Sequence, residues 1–318
     1  MSSKQVYTLL KDFFESFIKE ITGMDRKEFG KLLSMLRQDI DLTQFQLAEY
    51  AQLDEAVISQ MERGVKKYFE PELLVKMANS FHLTTIERRE FFLAASGIAN
   101  GQIVRQPSAA LKTDTKVLEK MIQIVERLNI PAFIMDVYAD VLAVNNSAFA
   151  FFNAPSNMLS SASSVSGGFN TVRIMFGKEL AMRSHITENW DDYAVGSMRF
   201  VRENSLRYRA KPYFQHLMKS FKNPLEYPLF NRYWKLVSSF EQDRESNVDV
   251  FSYTHDEYGP LRYATATTVS ITPHGELFLN QYLPLDEHTR RLFEAILKKS
   301  GMGVIAPLAP WPEKKIIE

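Results

Sequence analysis

Residues 43–64 read TQFQLAEYAQLDEAVISQMERG and carry the strongest structural signal in the chain. Thr43 can cap the N-terminus of a helix, and apolar residues at positions 47, 48 and 51 give that helix one buried face. The tight connection Gln52-Leu53-Asp54 ends in a second N-cap residue. Apolar residues at 57, 58 and 61 turn the next helix toward the same core. The stretch therefore predicts two short helices joined by a turn.

The second of these helices carries the side chains that would meet a partner. Its outward residues are Glu55, Ala56, Ser59 and Gln60. This is the helix–turn–helix arrangement, whose second helix reaches base edges in the major groove of DNA. Gln60 can bond adenine bidentately, and Glu55 can accept a hydrogen bond from cytosine. Arg63, Lys66 and Lys67 follow as a small basic cluster for phosphate contacts.

The stretch resembles the Cro and phage-repressor type of helix–turn–helix, the XRE family. The matching residues are Thr43-Gln44, Leu47-Ala48, Ala51, Leu53, Ile58-Ser59, Met61 and Glu62-Arg63-Gly64. The resemblance covers residues 27–96 and implies a five-helix domain, a phosphate contact by Gln44 and an ion pair between Arg37 and Glu62. The sequence departs from the family in the turn, where glycine is usual and this chain has Gln52. The predicted DNA-binding set is Gln44, Asp54, Glu55, Ala56, Ser59, Gln60, Arg63, Lys66 and Lys67.

The local charge leaves an alternative open. The first 100 residues hold 13 Lys and Arg against 15 Asp and Glu, a net charge of −2. That balance favours a plain helical hairpin with no role in DNA binding. A mildly acidic domain can still carry a locally basic contact face.

The composition of the chain excludes several classes of protein and of functional site. The chain has 318 residues, with 38 Lys and Arg balanced by 38 Asp and Glu, and no cysteine. The length predicts about two domains, and the absence of cysteine excludes disulfide scaffolds, thiol nucleophiles and cysteine-ligated metals. No run of 18 apolar residues occurs, so we expect a cytoplasmic protein with no membrane insertion.

Stretches that contain proline, glycine and serine separate the chain into five predicted parts. We predict an N-terminal amphipathic helix at 1–24, a DNA-binding domain at 25–97 and a linker at 98–114. A second domain is predicted at 115–300, followed by a loose C-terminal tail at 301–318. The broad apolar face of the first helix either packs on the DNA-binding domain or forms a dimer interface.

The second domain changes its hydrophobic period along its length. A hairpin is predicted at 132–144 around the turn Tyr138-Ala139-Asp140. Helical patterns rich in aromatic residues occupy about 170–240, and the pattern then alternates. The later predictions are strands at 248–254, 262–271 and 276–283, and a last helix at 286–299. Helices packed on one sheet indicate an α+β domain.

The start of this domain is similar to PAS sensor domains, and the whole chain resembles the MmyB-like transcription regulators. The matching points are Pro131, DVLAVN at 140–145, NTVRIMF at 170–176, Trp190, Met198-Arg199, Pro212, Leu217, Phe230, Trp234, His255, Gly259 and Leu261. The resemblance implies an all-α five-helix helix–turn–helix domain followed by an α+β PAS-like ligand-binding domain. It also implies a long-chain fatty acid as the effector.

An apolar cavity between helices and sheet is a common place for such a ligand. The predicted ligand-binding residues are Arg173, Trp190, Met198, Arg199, Phe200, Phe214, Phe230, Tyr233, Trp234 and Phe278. Arg173, Arg199 or Arg202 could hold a carboxylate through a charge-assisted bond. The alternative is that the aromatic stripe is solid core and that each arginine is in a structural ion pair.

The sequence offers no catalytic constellation. The six histidines are scattered without metal-ligand spacing, and His255-Asp256-Glu257 falls in a predicted solvated hairpin turn. We therefore expect no enzyme activity, no metal and no cofactor other than a bound fatty acid.

These observations together predict a ligand-responsive, sequence-specific regulator of transcription. Its expected partners are a double-stranded DNA operator, an apolar small-molecule effector and a second copy of the chain in a homodimer. The alternative function is a regulator whose C-terminal domain docks a protein or peptide and has no small-molecule pocket.

Overall fold

The structure is a computed structural model of the full chain. It describes residues 24–66, 68–96, 115–152, 159–160, 164–178, 186, 190–237, 250–255, 257–272 and 274–317. The chain divides into two compact units, one within residues 1–106 and one within 107–318. The predicted N-terminal helix, except for its last residue, and the predicted linker lie outside the described residues, so both stay predictions.

The first unit is helical throughout its described part. Its helices are α1 (Arg26–Asp39), α2 (Gln44–Ala51), α3 (Glu55–Glu62), α4 (Pro71–Ser80) and α5 (Thr85–Ser96). Local chemistry explains several of the starts. The Asp25 side chain accepts a hydrogen bond from the Glu28 backbone amide. Thr43 and Gln46 form a reciprocal capping box on α2, and Pro71 occupies the first turn of α4.

Aromatic and aliphatic side chains fill the core of the first unit. The Phe29 ring packs against Phe69 and Phe91 at centroid distances of 5.3 and 5.4 Å, and Ile58 and Met61 of α3 are fully buried. A Cβ atom at Gly30 would lie 2.3 Å from the Glu62 carbonyl oxygen. Glycine at this position is therefore what lets α1 approach the backbone of α3.

The second unit interleaves helices with strands. Its first elements are α6 (Lys116–Arg127), β1 (Ala132–Asp136), β2 (Val141–Asn145), α7 (Asn146–Phe151), α8 (Thr171–Phe176) and α9 (Trp190–Ser205). They are followed by α10 (Pro212–Phe221), α11 (Phe230–Leu236), β3 (Val250–His255), β4 (Gly259–Thr272), β5 (Gly275–Pro284), α12 (Glu287–Ser300) and β6 (Val304–Ile305).

The six described strands form one antiparallel sheet with the order β3-β4-β5-β1-β2-β6. The early hairpin of β1 and β2 therefore lies beside the late strand β5. One face of the sheet packs on α6, where Met121 and Val125 meet Ile134 and Leu279. We call the opposite face, with Phe251, Tyr263, Phe278 and Tyr282, the α9 face, since side chains alternate along each strand.

Two aromatic contacts place α9 over its face of the sheet. Tyr193 meets Phe251 at a ring-centroid distance of 4.6 Å, and Phe200 meets Phe278 at 4.9 Å. At the other end of this face, Phe151 of α7 lies 5.4 Å from Tyr263 and 5.4 Å from Tyr282. The predicted fold class is confirmed: a helical region is followed by an α+β domain.

The predicted loose tail is wrong for the described residues up to 317. Val304 and Ile305 pair with β2, and the Leu308 backbone amide donates to the Leu142 carbonyl at 2.9 Å. Trp311 packs on the core beneath α6, and Lys314 is only 6% exposed. The segment has no regular hydrophobic period because it is mainly extended, and its contacts are with distant parts of the chain.

The solvated turn predicted at His255 is also wrong for the histidine itself. His255 is buried, and its Nδ1 accepts from the backbone amides of Glu257 and Tyr258 at 3.0 and 3.3 Å. Its Nε2 lies 3.2 Å from the Ala150 carbonyl oxygen. The imidazole thus closes the β3–β4 turn and ties it to α7, which a local sequence pattern does not reveal.

Among the described helices, none combines the length and the apolar character needed to cross a membrane.

Candidate functional site

The turn between α2 and α3 of the first unit is built around a left-handed residue. Gln52 ends α2 with φ 52° and ψ 53°, a conformation that favours glycine and that Gln52 adopts here. The Leu53 backbone amide donates to the Ala48 carbonyl at 2.9 Å. Asp54 then stands at the N-cap position of α3, but its side chain makes no capping hydrogen bond. The turn predicted from the sequence is thereby present with a side chain at its tightest point.

A nearly buried ion pair joins the two ends of the motif. Arg37 donates to both carboxylate oxygens of Glu62, at 2.6 and 3.0 Å, and to the Leu42 carbonyl at 2.8 Å. The bond to Glu62 raises the pKa of the Arg37 guanidinium. The ion pair implied by the family resemblance is therefore confirmed. It locks α3 against α1 and so fixes the angle at which α3 is presented.

Gln44 shares the same carboxylate. Its side-chain amide donates to Glu62 Oε2 at 2.8 Å, so in the free protein Gln44 is held by Glu62. The predicted phosphate contact by Gln44 stays a prediction. Because the amide is only half-buried and lies at the start of α2, a phosphate can compete for one of its two N–H groups.

The outward face of α3 is polar and accessible. Glu55, Ala56, Gln60 and the following Arg63 are exposed, and Ser59 is half-buried. Lys66 lies 3.4 Å from Glu70 in an exposed i,i+4 pair, which is weak and easily exchanged for a phosphate. Lys67 lies outside the described residues. The arrangement offers amide, hydroxyl, carboxylate and guanidinium groups on one helix face, which is the chemistry needed to read base edges.

We call the strip between α9 and its face of the sheet, from the Tyr193–Phe251 contact to the Phe200–Phe278 contact, the groove under α9. The positions of α9 that face the sheet are 193, 196, 197 and 200, because residues three, four and seven apart share a helix face. The outer two positions are Tyr193 and Phe200, which make the aromatic contacts with the sheet. The inner two positions are Gly196 and Ser197. Seven residues of helix span about 10 Å. Two aromatic contacts thus hold α9 above the sheet, and small residues lie between them.

The same face of the sheet carries polar atoms. Asn280 of β5 is buried, and its Oδ1 accepts from Thr267 Oγ1 of β4 at 2.8 Å. The neighbouring rings of Tyr263 and Tyr282 lie 4.6 Å apart. Both tyrosine side chains are buried. Buried hydroxyls of this kind can donate to a bound oxygen atom.

The tyrosines on this face are held in their neutral form. Burial raises the pKa of Tyr193 to about 12, against a bond from Ser197 that lowers it. Burial first, and then the neighbouring tyrosine hydroxyls, raise the pKa of Tyr263 and of Tyr282 well above its usual range. Each hydroxyl therefore keeps its proton at neutral pH and remains a donor.

The predicted ligand-binding residues fall into two places. Phe200 and Phe278 lie together at one end of the groove. The others that make ring contacts form a separate network in the helical layer, where Trp234 stacks on Phe230 at 5.5 Å and approaches Phe214 at 6.5 Å. Trp190 and Tyr233 belong to that network, at a centroid distance of 6.3 Å. Met198 is buried on α9.

The arginines predicted to hold a carboxylate have protein partners. Arg173 donates to the Gly168 carbonyl at 3.3 Å, and Arg202 donates to the Trp234 carbonyl at 2.8 Å from a buried position. Arg199, three positions before Arg202, is half-buried. Their role in ligand binding stays a prediction.

Sequence reasoning missed the groove residues because it weighed aromatic stripes and overlooked small ones. The signal was the spacing of Tyr193, Gly196, Ser197 and Phe200, in which two small residues interrupt an aromatic helix face. A second signal was the alternation of Phe278, Asn280 and Tyr282 on β5, which places one buried amide among aromatic rings.

No group of three or more acidic or histidine side chains suited to a metal ion occurs within the described ranges. No curated protein matches the sequence. The family model for the MmyB-like transcription regulator ligand binding domain matches residues 117–296, which is more than half of the chain and includes α6, the sheet through β5 and the groove under α9. The chain therefore belongs to the MmyB-like transcription regulator family, with its ligand-binding domain in the second unit.

Proposed function

We propose that the protein is a sequence-specific DNA-binding regulator of transcription, of the XRE type, that responds to an apolar small molecule. The observation that supports DNA binding is the geometry of α2 and α3. The Arg37–Glu62 pair fixes α3, and the outward face of α3 presents Gln60, Glu55 and Ser59 to a partner. The family of the second unit supplies the regulatory context.

The DNA proposal is tested by separating base contacts from phosphate contacts. The operator is first selected from random duplexes with the full chain. Gln60→Ala should then weaken operator binding by about 1–3 kcal/mol and relax base preference. Lys66→Ala should weaken operator and random DNA alike and lower the slope of log affinity against log salt by about 0.9.

A matched control comes from a lysine on another helix of the same unit. Lys76 of α4 donates to the Gln52 carbonyl at 3.4 Å and is exposed, so Lys76→Ala changes the net charge by the same amount as Lys66→Ala. If all three variants lose the same affinity for operator and for random DNA, α3 is not the recognition helix.

We further propose that the effector lies in the groove under α9, with an apolar chain beside Phe200 and Phe278. A polar end would bond to the hydroxyls of Tyr263 and Tyr282 and to the Asn280 amide. A long-chain fatty acid has both parts, an acyl chain for the aromatic walls and a carboxyl group for neutral donors. The support is the pair of buried tyrosine hydroxyls over a polar floor, in a domain whose family binds ligands.

Native mass spectrometry of the purified full chain, before and after incubation with palmitic acid, tests the effector. Wild type should carry one acid per chain. Ser197→Leu places a larger side chain between the two aromatic contacts and should abolish the adduct while the far-ultraviolet circular dichroism stays unchanged. Ser252→Leu on β3 provides a control of equal size, since Ser252 is on the opposite side of its strand from Phe251.

The same spectra report the oligomeric state. We propose a homodimer, because two recognition helices one helical turn of DNA apart match a two-fold operator. A monomer on and off DNA would contradict it. A wild-type chain that takes up no acid, at any chain length tested, would instead favour a second unit that docks a protein partner.

A further inference from the structure

A lysine near the C-terminus enters the turn between β1 and β2. Lys314 Nζ lies 2.5 Å from Asp136 Oδ2 and 2.7 Å from Asp140 Oδ2. The rings of Tyr138 and Tyr213 flank it, at 5.7 and 5.3 Å from Nζ to the centroids. Both carboxylates are buried, and the lysine side chain is 6% exposed. Two carboxylates and two aromatic faces are the groups that recognise a primary ammonium.

The rest of the chain shapes this site without help from Lys314. Asp136 Oδ1 accepts from the backbone amides of Tyr138 and Asp140, at 2.9 and 3.2 Å. Asp140 Oδ1 accepts from the Asn170 side chain at 2.8 Å. One oxygen of each carboxylate is therefore fixed by internal donors, and the other oxygen of each faces the ammonium. Tyr213 also donates to Asp140 Oδ2, at 2.6 Å.

Among the described residues that follow Lys314, Lys315 and Ile317 are bonded to Ser166. Lys315, Ile316 and Ile317 are exposed, and the Ile317 amide donates to Ser166 Oγ at 2.7 Å. Lys314 is separated from Asp140 by 174 positions. A buried ion pair contributes little net stability, because desolvation of its charges offsets their attraction. The built cradle is thus better explained by recognition of a cation than by stability alone.

We propose that the turn of Asp136 and Asp140 is a binding site for a primary alkylammonium ion. Lys314 fills this site as a tethered ligand, and a free alkylamine can take its place. The exchange would change contacts at two helices of the ligand-binding domain, since Asn170 caps α8 and Tyr213 lies in α10. Tyr138, whose ring flanks Lys314, packs against the same cluster as Phe200 and Phe278, so an amine at the turn would also alter the surroundings of the proposed effector.

Removal of the tethered ammonium tests the site in the full chain. Lys314→Ala should lower the thermal midpoint by about 10 °C at pH 7.5, because two carboxylates then face each other in a buried place. Added n-butylammonium should recover most of that loss with a saturable dependence on concentration. Tetraethylammonium and sodium chloride at the same ionic strength should not, since neither supplies an N–H donor.

Lys299→Ala is the matched control. Lys299 pairs with Glu257 at 2.6 Å, but both side chains are more than half exposed, so this variant should show no specific response to n-butylammonium. Lys314→Met, which keeps the apolar stem, replaces the alanine variant if the latter does not fold. A recovery that is equal with tetraethylammonium, or equal in Lys299→Ala, overturns the proposal, as does no recovery in either Lys314 variant.

Hydrogen exchange on wild type tests the replacement of Lys314 directly. n-Butylammonium at several hundred millimolar should raise amide exchange in residues 313–317 several-fold above the rate in sodium chloride. Such concentrations are needed because a tethered group acts at an effective concentration in the millimolar range or above. An unchanged rate of amide hydrogen exchange would show that the amine does not replace Lys314 in wild type. Recovery of the thermal midpoint of Lys314→Ala would still establish the ammonium site.

Discussion

The side chains of Arg37 and Glu62 are the residue-scale feature on which the presentation of α3 depends. Their side chains are 13% and 7% exposed, and Glu62 also accepts from Gln44. Arg37→Ala should lower the free energy of unfolding of the first unit by about 3 kcal/mol, because it leaves a nearly buried carboxylate without its cation. Urea denaturation of the full chain, followed by the helical signal, measures the change.

Lys66→Ala is the comparison for that variant. In the Lys66–Glu70 pair the Glu70 side chain is 62% exposed, and such exposed pairs contribute about 0–1 kcal/mol. The Arg37 variant should therefore lose several times more stability than the Lys66 variant. Similar losses would mean that the Arg37–Glu62 pair does not hold α3 in place.

Glu287 supplies a prediction about pH at the same scale. Bonds from Arg290 and then Arg291 hold the pKa of this exposed carboxyl at about 2, below its usual value of 4.5. A depressed carboxyl pKa means that the native state binds the proton more weakly than the unfolded chain. The contribution of Glu287 to stability is therefore complete above about pH 4.5 and is lost as the pH falls toward 2.

The thermal midpoints of wild type and Glu287→Gln, followed from pH 7 to pH 3, measure that contribution. The difference between them should be constant down to about pH 5 and should narrow below it. A difference that stays the same at pH 3 would show that the arginine bonds are not maintained in solution.

At the scale of elements, the turn between α2 and α3 carries a conformational strain that glycine would remove. Gln52 has φ 52°, where glycine has no steric cost. Gln52→Gly should raise the stability of the first unit by about 0.5–1 kcal/mol and leave operator affinity unchanged, since the side chain is exposed and lies outside the α3 face. Denaturation and DNA titration of the same preparation check both parts, and a stability loss would contradict the first.

The elements themselves were largely predictable, because their signals are local. Thr43 at the start of α2, Pro71 at the start of α4 and the turn before Val141 each coincide with an observed boundary within a few residues. The packing of Lys314 and the burial of His255 were not predictable. Each depends on groups far away in the chain, and no local period records such contacts.

Of the two candidate sites, one could be predicted from the sequence and the other could not. The outward face of α3 follows from helical spacing alone, so Gln60 and Glu55 could be named from the sequence. The groove under α9 requires the registry of three strands with a helix. Asn280 meets Thr267, and Tyr282 meets Tyr263, only when β5 lies beside β4 in the observed register, and that pairing cannot be derived from composition.

For the whole molecule, the two proposed activities must be coupled in both directions. If palmitic acid changes operator affinity by some factor, operator DNA must change the affinity for the acid by the same factor. We expect a factor of about 5–150, the usual range for coupled sites. Fluorescence anisotropy of labelled operator with and without acid gives one value, and acid titration with and without operator gives the other.

Ser197→Leu isolates this coupling from direct effects of the acid on DNA binding. The variant should bind operator as wild type does without acid, and it should ignore added acid. An acid effect that persists in the variant would place the effector elsewhere, and no effect in wild type would contradict a ligand-responsive regulator.

The strand order has a consequence for how the protein is made. β1 pairs with β5 from Ala132↔Gln281 to Asp136↔Leu277, so the first strand of the sheet has no neighbour on that side until nearly the whole chain has left the ribosome. Pairing between such distant segments is slow to form and leaves an open edge meanwhile. The first unit, whose contacts are local, can be complete long before. A nascent chain that stalls before β5 would therefore display the α3 face proposed to bind DNA without the domain proposed to regulate it.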